Sequence, residues 1–166
     1  MDTQKPKYNK YLFLPVALLA IIIDQITKLL ARANLTEMEP VKFIPGFLNL
    51  THTENTGAAF SLFSGQVQIL AIVSIIASII IIYYYLKNIS NYTLTTIIAW
   101  GLLLGGTGGN LIDRLFLGSV TDFFEFAFID FPVFNFADIF IDTGAFLIIL
   151  FSFLNVKNEK NSARSN

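Results

Sequence analysis

The sequence predicts an all-α membrane protein of four transmembrane helices, with a small extracytoplasmic β-element in the first outer loop. Three observations carry the prediction. The 166-residue chain is 54% hydrophobic and only 14% charged, whereas a soluble domain carries nearer a quarter charged residues. Four stretches, near residues 11–30, 69–86, 94–112 and 136–154, approach the ~20 mostly apolar residues that cross a bilayer. Lysine and arginine are shared unevenly between the two sets of connecting segments, as orientation in a membrane requires. The length suits one integral membrane domain covering the whole chain.

Taken in order, the first stretch resembles a cleaved signal peptide at first sight. Lys5, Lys7 and Lys10 precede its apolar run, and Ala31-Arg32-Ala33 offers a small-x-small site. Asp24 and Lys28 stand between the two, which a disposable segment does not need, so the stretch is read as a retained first span. In the loop that follows, Val41-Lys42-Phe43-Ile44 and Phe47-Leu48-Asn49-Leu50 flank Pro45-Gly46, the pattern of a short hairpin. A short interfacial helix is expected over residues 58–63. The second span carries no charge at all, and residues 87–93 form a polar turn. The third ends in a glycine-rich run from Gly105 to Gly109, which lets helices approach closely. The fourth contains Asp138 and Asp142.

The eleven lysines and arginines divide seven to three, with Lys28 inside the first span. Lys5, Lys7, Lys10, Lys87, Lys157, Lys160 and Arg164 fall on one side and Arg32, Lys42 and Arg114 on the other. The richer side is cytoplasmic, so both termini face the cytoplasm and the loops 31–68 and 113–135 face outward. The chain has no cysteine, which makes the test clean. Cysteines introduced at Pro45 or Asp130 are expected to react with an impermeant thiol reagent on intact cells, and one at Ser90 only after permeabilisation. The opposite labelling pattern would overturn this topology.

Depth then brings the polar residues together. Asp24 lies about 20 Å along the first helix, at 1.5 Å per residue, in the outer half of the membrane. The third span ends outward at Asn110, Asp113 and Arg114, and the fourth begins outward at Asn135 and Asp138. Ionisable residues within spans are costly and mark functional sites. Without cysteine, thiolate chemistry is excluded, and a single histidine, His52, rules out a histidine-rich metal site. No basic stripe signals nucleic acid. Carboxylates remain. Two of them a few ångströms apart share one proton, so one takes a proton from water while the other donates to the scissile group. That chemistry needs no metal or cofactor. Level and orientation leave Asp113, Asp122, Asp138 and Asp142 as candidates. A small transporter and a non-catalytic lipid-binding subunit are the competing classes. A transporter requires a polar path across the membrane, which the uncharged second span and the apolar inner halves of the others do not offer.

Five segments complete the reading: Asp24-Gln25-Ile26-Thr27-Lys28, Asn55-Thr56-Gly57-Ala58-Ala59-Phe60, Gly106-Thr107-Gly108-Gly109-Asn110-Leu111-Ile112-Asp113-Arg114, Val120-Thr121-Asp122-Phe123 and Phe134-Asn135-Phe136-Ala137-Asp138. With these in this order on four spans, the chain resembles the lipoprotein signal peptidases, the type II signal peptidases of bacterial membranes. The resemblance implies a catalytic dyad of Asp122 and Asp138, with Asn55, Asn110, Arg114, Asn135, Asp24 and Lys28 binding substrate or supporting the dyad. It implies a diacylglyceryl-modified prolipoprotein as substrate, cleaved before the lipidated cysteine, at the outer leaflet of the bacterial cytoplasmic (inner) membrane. No metal or cofactor and no nucleic acid is implied, membrane lipid is the surrounding partner, and the protein is read as a monomer.

On this reading Asp113 is a structural acid. Asp24 and Lys28, at i and i+4, share a helix face and pair. Asp142 is an acid the family pattern does not call for; facing the site, its charge would raise the pKa of its neighbours, and facing lipid it would be costly, so that a polar partner such as Thr143 or a neighbouring helix is then expected. Ile139 departs from the small polar residue typical at that position. Glu37, Glu39, Glu54, Glu125 and Asp130 are read as solvated loop charges, His52 as a surface residue, and the aromatics as mostly lipid-facing or interfacial, with Phe123, Phe124, Phe126 and Phe128 bordering acyl chains or anchoring their loop.

Overall fold

A computed structural model describes residues 8–9, 11–58, 62–88 and 92–164, with side chains through residue 154. Lys5, Lys7 and Lys10, the centre of the expected helix at 58–63, and part of the turn at 87–93 lie outside the described residues. Leu62 and Phe63, at the end of that expected helix, lie in a turn.

Each expected span is a helix: α1 (Phe13–Asn34), α2 (Val67–Asn88), α3 (Leu94–Phe116) and α4 (Phe136–Arg164), of which Phe136–Leu154 is apolar enough to cross a membrane. Their surfaces are inverted relative to a soluble protein. Along α1, the buried residues Phe13, Ala17, Ala20, Asp24, Lys28 and Ala31 recur at helical spacing. Leu18, Leu19, Ile22, Ile26, Leu29 and Leu30 point outward and are exposed. Small and charged residues inside with large apolar ones outside is the arrangement expected where lipid is the solvent.

α3 is the most buried of the four and packs against each of the others. Its glycines make that closeness possible. A Cβ at Gly105 would stand 2.6 Å from Ala20 Cβ of α1. At Gly106 a Cβ would overlap the carbonyl oxygen of Ala137 at the start of α4, and at Gly109 a carboxyl oxygen of Asp24. The glycine run therefore lets three helices meet where the polar residues lie. At the other end of the bundle, Phe13, Tyr85 and Ile97 form a buried cluster with Tyr92 and Trp100 packed against it. These aromatics belong to the interior rather than to a lipid-facing belt, because the ends of α1, α2 and α3 converge on them.

The β-element is larger than the sequence suggested. β1 (Val41–Ile44) and β2 (Leu48–Asn55) form the expected hairpin, turning at Gly46 with φ 74°. A third strand, β3 (Val120–Phe126), comes from the second outer loop and pairs antiparallel with β2, giving the order β1-β2-β3. The register sets Asn55 opposite Val120 and Thr53 opposite Asp122. It also corrects the reading of several loop residues as freely solvated. Glu54 faces Thr121 across the strands and accepts hydrogen bonds from Thr121 and Ser119, while Asn49 donates to Glu125 at 3.1 Å. His52, itself partly buried, pairs with Glu54 at 2.8 Å. Directly opposed polar residues on one sheet face interact, and partners 65 to 76 residues apart in the sequence give no local sign that they will.

Candidate active site

Asp138 is held by the start of its own helix. Asn135 precedes α4 and Asp138 is its third residue. The Asp138 amide donates to Asn135 Oδ1 at 3.1 Å, and the Asn135 amide donates to Asp138 Oδ2 at 3.1 Å. This reciprocal pair is a capping box with asparagine and aspartate in its two places, and it orients the carboxyl through contacts local to the helix start. Asp122 is held by the sheet. β3 delivers it beside the helix bundle, where Asn55 Nδ2 donates to its Oδ2 at 2.9 Å. Asn55 is in turn pinned by the Gly57 amide, 2.8 Å from its Oδ1.

Two asparagines join these carboxyls. Asn135 Nδ2 donates to Asp122 Oδ1 at 2.6 Å and to Asn110 Oδ1 at 3.1 Å. Asn110 Nδ2 donates to Asp138 Oδ1 at 2.8 Å. Both aspartates, Asn55, Asn110 and Arg114 line one cavity of about 340 Å³, whose remaining walls include Phe126, Phe131 and Phe134. Arg114 donates to Ser74 Oγ at 3.4 Å. Of the residues the sequence singled out, these five thus meet in one place, with Asn135 directly behind them. Burial, and next the charge of Asp138, push the Asp122 carboxyl up to about 7, against the opposing hydrogen bonds from Asn55 and Asn135.

Asp24 and Lys28 do not line the cavity. They are fully buried behind it, 2.9 Å apart. Lys28 Nζ also reaches Asp113 at 3.1 Å and donates to Asn110 Oδ1 at 2.8 Å, so its three protons each have a partner. The two acids it pairs with have a parallel task. Asp24 Oδ1 accepts the Ala137 amide at 2.9 Å, one residue before Asp138. Asp113 Oδ2 accepts the Thr121 amide at 3.1 Å, one residue before Asp122. Gln25 ties the pair together, donating to Asp24 at 3.2 Å and Asp113 at 2.9 Å. Asp113 is therefore a structural acid. Its partner is Lys28 rather than the adjacent Arg114. Gln25, Thr121 and Arg32, which donates to Thr121 Oγ1 at 2.7 Å, were not singled out by the sequence as site residues. Gln25 lies within a quoted motif, but only the tertiary meeting of α1, α3 and β3 gives it this place.

Asp142 lines the cavity with the pair. It is exposed and faces the cavity, the first of the two placements expected for it; the polar partner expected of a lipid-facing acid, in Thr143 or a neighbouring helix, is not found, since it makes no hydrogen bond or ion pair among the described residues. Among the described residues no group of three histidine, cysteine, aspartate or glutamate side chains is arranged to hold a metal ion.

Comparison with known proteins gives one answer. Residues 16–154 match the family model of signal peptidase (SPase) II. The chain is 41% identical to the lipoprotein signal peptidase of Fusobacterium nucleatum subsp. nucleatum, over 84% of each chain. It is 37% identical to that of Enterococcus faecalis, over 87% of this chain and 89% of the relative. A solved bacterial membrane enzyme, determined by the in meso method, superposes with a TM-score of 0.84 at 34% identity, covering 92% of this chain and 94% of the other. The chain belongs to the signal peptidase II family, and is a multi-pass membrane protease.

Proposed function

We propose that the chain is an aspartic endopeptidase that removes the signal peptide of diacylglyceryl-modified bacterial prolipoproteins, cleaving before the lipidated cysteine. The observation that carries this reading is the asparagine bridge: Asn110 and Asn135 link Asp122 to Asp138 on the wall of one cavity. Two acids so linked, in a site that burial keeps poorly hydrated, share a proton. In this assignment Asp122 carries the proton and Asp138 the charge. Asp138 takes a proton from the attacking water as Asp122 protonates the carbonyl oxygen, and the proton gained by Asp138 then passes to the leaving amine. Arg114, Asn55 and Asn110 border the cavity and are the groups available to hold the peptide. The phenylalanine walls offer acyl chains an apolar lining, and a signal peptide lying in the bilayer reaches the dyad from the side.

The test uses purified protein in detergent micelles with a lipobox peptide carrying or lacking the diacylglyceryl group. Cleavage is expected only of the modified peptide, with the product mass locating the cut directly before the lipidated cysteine. The rate should fall as pH rises through about 7, because Asp122 then ionises and the proton donor is lost. Equal cleavage of both peptides would refute the substrate assignment, and a flat profile between pH 6 and 8 would refute the proton-sharing role of Asp122.

A further inference from the structure

Asp142 is unused by the chemistry above. It lies one turn beyond Asp138 on α4, about 6 Å further along the helix at 1.5 Å per residue, and borders the same cavity. The two carboxyls share a helix face. Asp142 is exposed and makes no hydrogen bond or ion pair among the described residues, although the cavity it borders is also lined by Asn110, Arg114 and Asp138. An ionisable side chain within a span is costly to keep without a partner. The protein thus presents to the cavity an acceptor that its described side chains leave unused.

A substrate backbone has what Asp142 lacks. The carbonyl of a helical residue is hydrogen-bonded and walled in by side chains, so a signal peptide must unwind around its scissile bond before the dyad can attack. Unwinding releases the N–H groups of about one turn, and hydrocarbon offers them no acceptor. We propose that Asp142 contacts substrate, its carboxylate accepting hydrogen bonds from backbone N–H groups of the unwound signal-peptide segment beside the scissile bond. The proposal rests on the reading of Asp122 and Asp138 as the dyad. It makes Asp142 an affinity determinant that acts on a signal peptide through its backbone and is so indifferent to side-chain sequence.

The experiment measures kcat and KM separately for the full-length protein in detergent with the modified lipobox peptide. The variants are Asp142→Leu, Asp142→Asn and, as a control on the dyad, Asp138→Asn. Leucine is favourable within a span, so the first variant is expected to insert and fold. Its KM should rise roughly tenfold, the loss of a charge-assisted hydrogen bond, with kcat changed by less than about twofold. Asparagine keeps an acceptor oxygen and should restore most of the affinity, and the pH dependence of kcat should match the parent in both. An unchanged KM in Asp142→Leu overturns the proposal. So does an equal effect of both substitutions together with a displaced pH profile, since Asp142 would then act on the dyad through its charge. Activity retained by Asp138→Asn would instead remove the dyad reading, whatever the two Asp142 variants do.

Discussion

Asp122→Asn and Asp138→Asn are each expected to lower the cleavage rate by about a thousandfold or more, the scale of losing a general acid or base, while the protein still inserts and folds. The reason is chemical. Asparagine keeps the size and one acceptor oxygen of aspartate, but it can neither hold the shared proton nor take one from water. The structural consequences are small by comparison. At position 122 an asparagine can keep one of the hydrogen bonds now accepted from Asn55 and Asn135 and loses the other, a cost of about 1 kcal/mol. The same change removes a carboxyl whose charged form burial disfavours. Its folded-state value near 7 stands above the usual carboxylate value of 3.8, so its linkage contribution to stability is complete below the lower value and lost as pH rises through the higher. At pH 8 the Asp122→Asn protein should therefore melt within a few degrees of the parent. At position 138 the capping box can persist, because an asparagine oxygen still accepts the Asn135 amide. Mass spectrometry of the processed peptide, with detergent-stable melting curves beside it, separates lost chemistry from lost fold. A variant with parental activity would remove that aspartate from the mechanism.

The parts legible in the sequence are those with a local cause. Hydropathy sets the four spans because lipid imposes one apolar length on each, and Pro45-Gly46 marks the hairpin because the turn at Gly46 takes a positive φ. The capping box also has a local cause, Asn135 and Asp138 three residues apart, although in the sequence these two residues stood out only as part of a motif. What the sequence hid has a long-range cause. β3 reads Val-Thr-Asp-Phe-Phe-Glu-Phe, without apolar–polar alternation. Its first four residues are all buried, since helices cover one face and the sheet leaves the other inside. Its existence depends on β2, which it reaches across α2 and α3. The same holds for Asp113. Its neighbour in sequence is Arg114, its partner in space is Lys28, and nothing nearer than the packing of α1 on α3 decides between them. The motifs selected Asp122 over Asp113, but the division of labour between the two becomes physical only when Asp113 is seen to hold the backbone immediately before Asp122.

That division makes Lys28→Met the second large effect to expect. Lys28 is fully buried and is the ion-pair partner of both Asp24 and Asp113. Removing one partner of a buried ionic group leaves uncompensated charge and costs about 3–5 kcal/mol, a large share of the 5–15 kcal/mol that typically holds a domain together. For a chain of this length that corresponds to a fall in melting temperature of about 10 °C. Activity should fall further than stability alone explains. The two stranded acids would repel each other, and each grips the amide next to one of the cavity aspartates, Ala137 before Asp138 for Asp24 and Thr121 before Asp122 for Asp113. Lys28 also orients Asn110, whose amide donates to Asp138. Converting all three charges together, as Asp24→Asn, Lys28→Met and Asp113→Asn in one chain, should recover most of the lost melting temperature. Neutral side chains leave no uncompensated charge, and asparagine oxygens still accept both amides. Activity should recover only in part, because Asn110 has lost the cation that fixes its orientation. If Lys28→Met alone melts with the parent and cleaves at the parental rate, the buried ionic cluster is not what holds Asp122 and Asp138 in place.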